Sequence, residues 1–375
     1  HANFTPPAAA ACSLAAGGGP TAGAIFVAGT GGKAAKLNAT TGIAEGSITG
    51  LFAGGNILTA DSASGHLYAG GGLTALHEYS WPGSTATEVS KTTLPTGPLG
   101  LAVNGISGNV YVSTGSNPNV EVWGAISGHH SKETFGPTAK PVFAAALGLA
   151  VDRSDGDLLV LDKGGNEKQE ITFPGFNAGD KFTLGNLPSV CGAPGTETAQ
   201  IEYSVSLIGE AVQSALQTLC GSTNVSASGS GAATVEFKGS LEKTPESLLS
   251  ITTQIGTGTG TVKRTAGGHV TGLYRYKENG EPDNFTEGPD AGTNVISGIS
   301  FTSQFASEVA VDNSGKATDG NIYLALGGSA THEVKVYNKN GNPLTTITKY
   351  KEGSTGTGSE KTFTGEICGV AVDPS

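Results

Sequence analysis

Leu149-Ala150-Val151-Asp152 is the clearest copy of a phrase that decides the fold of this chain. The phrase is apolar, contains Ala, and ends in Asp or Asn. A polar turn that contains Gly or Pro follows the close copies. A short unit repeated along a chain is the signature of a repeat architecture. The other copies are Leu101-Ala102-Val103-Asn104, Val309-Ala310-Val311-Asp312 and Val370-Ala371-Val372-Asp373, with a weaker one at Leu58-Thr59-Ala60-Asp61.

A second apolar run follows the turn in most repeats, as in Asn109-Val110-Tyr111-Val112 and Asn321-Ile322-Tyr323-Leu324. A third run comes next, such as Glu333-Val334-Lys335-Val336-Tyr337, and a fourth follows a small turn at Leu344-Thr345-Thr346-Ile347. Four short antiparallel strands make one propeller blade. The sequence therefore predicts an all-β protein, a β-propeller of about five four-stranded blades. A sixth, degenerate blade is the alternative, and a small α+β insertion is expected as well.

These phrases resemble NHL-repeat β-propellers of secreted bacterial type, whose repeats read apolar-Ala-Val-Asp, turn, Gly-Asn-hydrophobic-Tyr-Val, and then a Val-rich third strand. The resemblance covers most of residues 21–176 and 268–375. It implies a propeller fold. The copies at 21–50 and near 57 depart from the pattern, so the blade number is less well specified than the fold.

The ends of the chain are expected to share one blade. The last repeat stops after its first strand, and strands near 24–27, 33–37 and 43–48 would complete it, which removes exposed sheet edges. This organisation divides the chain into an N-terminal tail (1–20), a first propeller part (21–177), an inserted α+β module (178–252) and a second propeller part (253–375).

The insertion has a different pattern from the blades. Its apolar residues fall on one helical face, and Ser206 is the expected N-cap of that helix. The segment resembles a small ββαββ module embedded in secreted bacterial repeat proteins, which implies surface display. The residues on the helical face are Ile208, Val212, Ala215, Leu216 and Leu219.

Composition restricts the partners and the compartment. The formal net charge of −11 disfavours phosphate backbones, so no nucleic-acid partner is expected. No apolar run approaches the roughly 20 residues of a transmembrane segment. The chain contains no Met and begins at His1, which favours a processed, exported protein, and its even number of four Cys suits an oxidising exterior. We therefore expect an extracellular protein, secreted or at the cell surface.

Four Cys allow three pairings. Cys12 precedes the first predicted strand, and Cys368 lies in the closing repeat, so we predict a Cys12–Cys368 disulfide between the chain ends. Cys191 and Cys220 both lie in the insertion and form the second predicted pair.

The candidate chemical motifs are weak. Residues 27–33 (VAGTGGK) lack the first Gly and the final hydroxyl residue of a phosphate loop, so a blade turn is favoured. A Gly-x-Ser-x-Gly nucleophile motif is absent, and the inner phrases contain no His. His129, His130 and Glu133 are a poor metal set because neighbouring strand residues point to opposite faces. The repeated Asp and Asn are interpreted as acceptors for turn amides. We expect no catalytic residue, no metal and no cofactor.

The expected function is that of a non-enzymatic extracellular scaffold, a structural subunit of a surface assembly or filament. Ala2-Asn3-Phe4-Thr5 is strand-compatible and is followed by Pro6-Pro7, as in a short donor segment, with Phe4 and Thr5 as assembly residues. The partners would be further copies of the chain or other surface proteins. The alternatives are a saccharide- or peptide-binding propeller, which an aromatic patch near Tyr79, Trp81 and Trp123 would support, and a propeller lyase or hydrolase.

Overall fold

The computed structural model divides the chain into two compact units. Unit 1 comprises residues 1–140, 145–163 and 271–375, and unit 2 comprises residues 141–144 and 164–270. No helix in the described part of the chain is both long enough and apolar enough to cross a membrane. The structure describes residues 11–29, 32–41, 43–51, 56–71, 74–94, 96–114, 120–124, 131–134, 143, 145–300, 308–326, 332–351, 359–363, 367 and 369–372.

Unit 1 contains five antiparallel four-stranded sheets in its described residues, and each has its strands in simple meander order. Sheet 1 contains β1 (Ala11–Ala16), β2 (Ala24–Gly29), β3 (Lys33–Asn38) and β4 (Ala44–Thr49). Sheet 2 contains β5 (Asn56–Ala60), β6 (Leu67–Gly71), β7 (Ala75–Ser80) and β8 (Thr87–Thr93). Sheet 3 contains β9 (Pro98–Val103), β10 (Val110–Thr114), β11 (Val120–Trp123) and β12 (Ser131–Thr134).

Sheet 4 is interrupted in sequence by unit 2. It contains β13 (Ala146–Val151), β14 (Leu158–Asp162), β22 (Gly272–Tyr276) and β23 (Val295–Ile296). Sheet 5 contains β24 (Glu308–Val311), β25 (Ile322–Ala325), β26 (Val334–Tyr337) and β27 (Pro343–Ile347). A two-stranded hairpin follows, formed by β28 (Lys349–Lys351) and β29 (Glu360–Thr362). The 3-10 turn Gly19–Thr21 lies between β1 and β2.

The first strands of the five sheets are neighbours in turn, β1 beside β5, β5 beside β9, β9 beside β13 and β13 beside β24. All five border one cavity. β13 is buried along its whole length, as expected of a strand covered on both faces. Gly100 in β9 allows this close approach, because a Cβ there would lie 1.9 Å from the carbonyl oxygen of Leu147. This is the arrangement of a β-propeller, and the repeated phrase supplies four of the five inner strands found in the described residues.

The chain start differs from the prediction. The inner strand of sheet 1 is β1, within the segment assigned to the tail, and all four strands of this sheet come from residues 11–49. Val370, Ala371 and Val372 also border the cavity but form no strand. The predicted blade shared by both ends is therefore wrong at the level of strand pairing. β1 reads ACSLAA, which has weak β-propensity, and it is a strand because small residues fit the crowded inner position.

Unit 2 is larger than the predicted insertion of 178–252. One of its sheets contains β18 (Val225–Ser228), β19 (Ala232–Phe237), β15 (Lys168–Thr172) and β21 (Thr261–Ala266) in that order. The other contains β17 (Ile201–Glu202), β16 (Lys181–Gly185) and β20 (Ser250–Ile255). Two 3-10 turns occur at Ser189–Cys191 and Gly239–Leu241. Because β15 and β21 are strands of this unit, the inserted segment runs from 164 to 270.

The α-helix of unit 2, α1 (Ile208–Cys220), lies where the apolar spacing predicts it. Ile208, Val212 and Leu216 are fully buried in the core of this unit. Ser206 is not its N-cap. The capping position is Leu207, which makes no side-chain capping bond, because the helix begins one residue later than the Ser-based prediction. Cys220 at the helix end forms a disulfide with Cys191, which is the predicted pair.

Candidate functional site

The main cavity of unit 1 lies between the inner strands. Its volume is about 120 Å³, and its wall is mostly the apolar part of the repeated phrase. Its polar lining is concentrated near the two ends of the strands. The lining comes from residues 14–16, 58–60, 101–103, 149–151, 308–311 and 370–372, with Ser62, Arg153 and Asn313.

Glu308 lies where the inner strands begin and connects three segments of the ring. Its carboxylate accepts hydrogen bonds from the Ser13 hydroxyl at 3.1 Å and from the Val370 N–H at 2.9 Å. The Leu14 N–H is a further donor. The Ser13 hydroxyl also accepts the N–H of Leu58 at 3.0 Å, so one hydroxyl contacts strands of three sheets. These bonds join β24 to β1 and to the segment at Val370.

Burial raises the pKa of Glu308 to about 8, although its three hydrogen-bond donors act in the opposite direction. Sequence reasoning missed this residue. A signal was present, because Glu308 precedes the phrase at the position that Gly100, Gly148 and Gly369 occupy in other copies. A carboxylate at a position that is Gly in other copies of the phrase indicates that this side chain has a specific partner.

The repeated Asp and Asn act in the turns, as the sequence interpretation proposes. Asp61 accepts the N–H groups of Ala63 and Ser64, and Asp152 accepts the N–H of Ser154 at 2.9 Å. Asn104 and Asp312 make equivalent bonds to Ile106 and Ser314. The carboxylates are therefore turn acceptors at the rim and do not form a ring of free ligands. Asp373 lies outside the described residues.

Side chains at the rim also connect neighbouring sheets. Asn313 accepts the N–H of Arg153 at 2.8 Å and donates to the carbonyl of Val151 at 3.1 Å, which joins sheets 5 and 4. Asn104 and Asn109 of sheet 3 both donate to Glu278. These side-chain bonds link the turns of one sheet to a neighbouring sheet, so the turns are held in fixed positions relative to one another.

A second rim cluster surrounds Arg275. Its guanidinium pairs with Asp157 and Asp283 and donates to the Lys339 carbonyl on sheet 5 at 2.9 Å. Burial raises the pKa of Asp157 to about 7, with further contributions from Asp155 and Asp283, and Arg275 opposes this rise. The cluster ties the loop after β22 to two sheets.

The described histidines of unit 1 lie away from the cavity. His66 contacts Glu78 at 2.7 Å, and His77 contacts Glu88 at 3.2 Å, both in sheet 2. His129 and His130 lie outside the described residues, and the side chain of Glu133 is not described. Among the described residues, no three His, Cys, Asp or Glu side chains converge in a way that could hold a metal ion.

The three aromatic residues that would support the alternative of saccharide or peptide binding do not form a surface patch. Tyr79, Trp81 and Trp123 are 7%, 0% and 4% exposed. Trp81 packs against Phe26, with ring centroids 5.5 Å apart, because these residues lie on inward faces of strands or at their ends. The feature that would support saccharide binding is therefore part of the core.

Two further predicted sites can be placed. Residues 27–33 span the hairpin between β2 and β3, which are antiparallel partners, so the segment is a blade turn and does not precede a helix. Cys12 lies in β1 but its side chain is not described, and Cys368, Phe4 and Thr5 lie outside the described residues. The Cys12–Cys368 bond and the assembly residues remain predictions.

Comparison with known protein families and with curated proteins finds no match. Among solved structures, the chain is similar to the crystal structure of the RRP9 WD40 repeats. The two are 12% identical with a TM-score of 0.44, and the match covers 98% of this chain and 86% of that one. The propeller arrangement of unit 1 follows from its own sheets and shared cavity.

Proposed function

We propose that this chain is a non-enzymatic interaction scaffold that works outside the cell as a subunit of a surface assembly or filament. Its contact with the next subunit is made by the N-terminal segment that contains Phe4 and Thr5. The partners are further copies of the chain or other surface proteins.

The observation that carries the scaffold role is the use of the repeated rim residues. Asp61, Asn104, Asp152 and Asp312 are all engaged by turn amides. Additional bonds between sheets, such as Asn313 to Val151, fix the turns relative to one another. A surface held in advance loses little entropy on binding, which favours a docking platform.

The extracellular location is supported by the disulfide between Cys191 and Cys220. Such bonds persist in oxidising compartments and are rare in the cytosol of mesophiles. The filament role is supported by the N-terminal sequence, in which an uncharged strand-compatible stretch ends at Pro6-Pro7. A head-to-tail contact of this kind propagates without closing.

The test compares the full chain with a variant that lacks residues 2–5 and with Phe4→Ala. We expect the unaltered chain to form particles larger than a monomer by light scattering and filaments by electron microscopy. Both variants should remain folded and monomeric. Thr41→Ala, a change in an exposed turn of sheet 1, serves as the control and should assemble normally. An unaltered chain that stays monomeric, or a Phe4→Ala variant that assembles normally, contradicts the proposal.

A further inference from the structure

The outer strands of the unit 1 sheets are exposed edges, and most of them carry features that block pairing with another chain. β4 contains Glu45 and a register shift, and β8 contains Glu88 and Lys91. β12 reads Ser-Lys-Glu-Thr, and β23 is only two residues long. Charged residues, bulges and short strands are the usual protection of sheet edges.

β27 begins at Pro343 and has one register shift against β26, but it lacks the charged residues that protect β4, β8 and β12. It reads Pro-Leu-Thr-Thr-Ile, contains no charged residue, and is exposed along its whole length. Leu344 is 48% exposed and Ile347 is 37% exposed. Among the described strands, β26 alone pairs with β27. The backbone of Leu344–Ile347 therefore presents an uncharged edge of four residues with apolar side chains at both ends.

Unit 2 has two uncharged edge strands among the described residues, β18 and β20. β18 is half-buried, and its Ala227 N–H donates to Gln213 of α1, so the comparable exposed edge is β20, which reads Ser-Ile-Thr-Thr-Gln-Ile. The chain itself partly covers β20. The Thr253 hydroxyl donates to the Gly258 carbonyl at 2.7 Å, and Gly260 lies so close to Ile251 that a Cβ there would be 2.2 Å from its side chain. The loop after β20 thus occupies part of this edge, and β27 is the more open of the two.

We propose that β27 is the acceptor edge for residues 2–5 of a second copy of this chain, which add as a fifth strand to sheet 5. This inference rests on the proposed function and names the surface that receives the segment. Backbone hydrogen bonds would provide affinity, and contact of Phe4 with Leu344 or Ile347 would provide specificity.

The two segments match in length and charge. Ala2-Asn3-Phe4-Thr5 and Leu344-Thr345-Thr346-Ile347 are both four residues long, and neither contains a charged side chain. Each is bounded by proline, Pro6 after the donor stretch and Pro343 before the acceptor stretch. Proline has no N–H to continue a ladder, so both segments limit the pairing to the same length.

The experiment uses a synthetic peptide of residues 1–7 and the full-length Phe4→Ala chain, which keeps the acceptor edge but lacks the donor aromatic residue. Calorimetry should detect binding of the peptide, and hydrogen exchange should show slower exchange of backbone amides within residues 344–347. Adding Leu344→Lys and Ile347→Lys together should weaken binding at least tenfold. Val89→Lys on β8 and Ile255→Lys on β20 are matched controls at exposed edge positions, and they should leave binding unchanged.

The outcomes separate this inference from the proposed function. If Phe4-dependent assembly occurs but the lysine pair on β27 changes neither assembly nor peptide binding, β27 is not the acceptor and the proposed function stands. Loss of binding in the Ile255→Lys variant would likewise overturn the assignment in favour of β20. A full chain that is monomeric overturns the proposed function, and with it the second copy as occupant.

Discussion

Glu308 is a half-buried carboxylate whose described hydrogen-bond partners, Ser13, Leu14 and Val370, are all neutral. Its folded-state pKa of about 8 lies above the ordinary value of 4.5. The folded state therefore binds the proton more tightly than the unfolded chain does. The resulting stability is fully present below about pH 4.5 and is lost as the pH rises through about 8.

We predict that unit 1 becomes less stable between pH 5 and pH 8.5, by a few kcal/mol in free energy of unfolding. Glu308→Gln mimics the protonated acid and should reduce this dependence, and the part that remains comes from Asp157, whose pKa burial also raises. Both Trp residues of the chain, Trp81 and Trp123, are buried in unit 1, so Trp fluorescence during denaturant unfolding reports on this unit.

Glu281→Gln is the matched control, because Glu281 is an exposed glutamate of the same unit. It should retain the pH dependence of the unaltered chain. Equal slopes in the Glu308→Gln variant and the unaltered chain would show that Glu308 is ionised in the folded state throughout this range.

At the scale of elements, the disulfide fixes the end of α1 to the turn at Ser189–Cys191. The two cysteines are 29 residues apart, and in the chain-entropy model closing such a loop stabilises by about 3 to 4 kcal/mol. We predict that replacing Cys191 and Cys220 with Ser destabilises unit 2 by roughly this amount.

The measurement is the circular dichroism signal of helical structure. Among the described residues, this signal comes from α1. Trp fluorescence of the same samples serves as the internal control, because the core of unit 2 contains no residue of unit 1. An unchanged α1 transition in the Ser variant, or an equal loss in the Trp transition, would be inconsistent with a stabilising role confined to unit 2.

The elements that sequence could predict are those whose side-chain period is unambiguous. The phrase at Leu149 identifies β13, and the spacing from Ile208 to Leu216 identifies α1. Gly272–Tyr276 pairs with β14 across the insertion, within the second propeller part that the sequence predicts. The spacing of apolar residues in these segments reflects which faces of the strand or helix are buried, and this spacing can be read from the local sequence.

Other elements depend on tertiary context. β1 is Ala-rich, and it forms an inner strand because small residues fit the crowded space there. β15 and β21 alternate like blade strands, and period-two patterns do not reveal which sheet a strand joins, so the insertion was predicted too short. Glu308 is a half-buried group whose partners lie 295 and 62 residues away in sequence, beyond the reach of local patterns.

At the scale of the whole molecule, the two chain ends that flank the insertion lie side by side within unit 1. The Thr271 hydroxyl donates to the Lys163 carbonyl at 2.6 Å, and Asp162 pairs with Gly272. We predict that replacing residues 164–270 with Asn-Gly, which suits a two-residue hairpin, leaves a folded unit 1. Its Trp-monitored melting temperature should change by less than about 4 °C.

The matched control replaces only residues 178–252, the boundaries suggested by sequence alone. It should aggregate, because β15 and β21 would remain without the core that buries Ile171 and Phe173. Residues 164–270 expressed alone should fold and form the Cys191–Cys220 bond. Aggregation of the 164–270 replacement, with a well-behaved 178–252 replacement, would reverse this assignment of the boundary.

The bond between Ser13 and Glu308 also sets an order of events during synthesis. The two residues are 295 positions apart, and a ribosome adds about 5 to 20 residues per second, so β1 emerges about 15 to 60 s before its Glu308 partner. Sheets 1 to 3 can form in that interval, but the ring cannot close. The nascent sheets therefore remain an open arc until Glu308 has been added, and β1 can make its bond to sheet 5 only after that point.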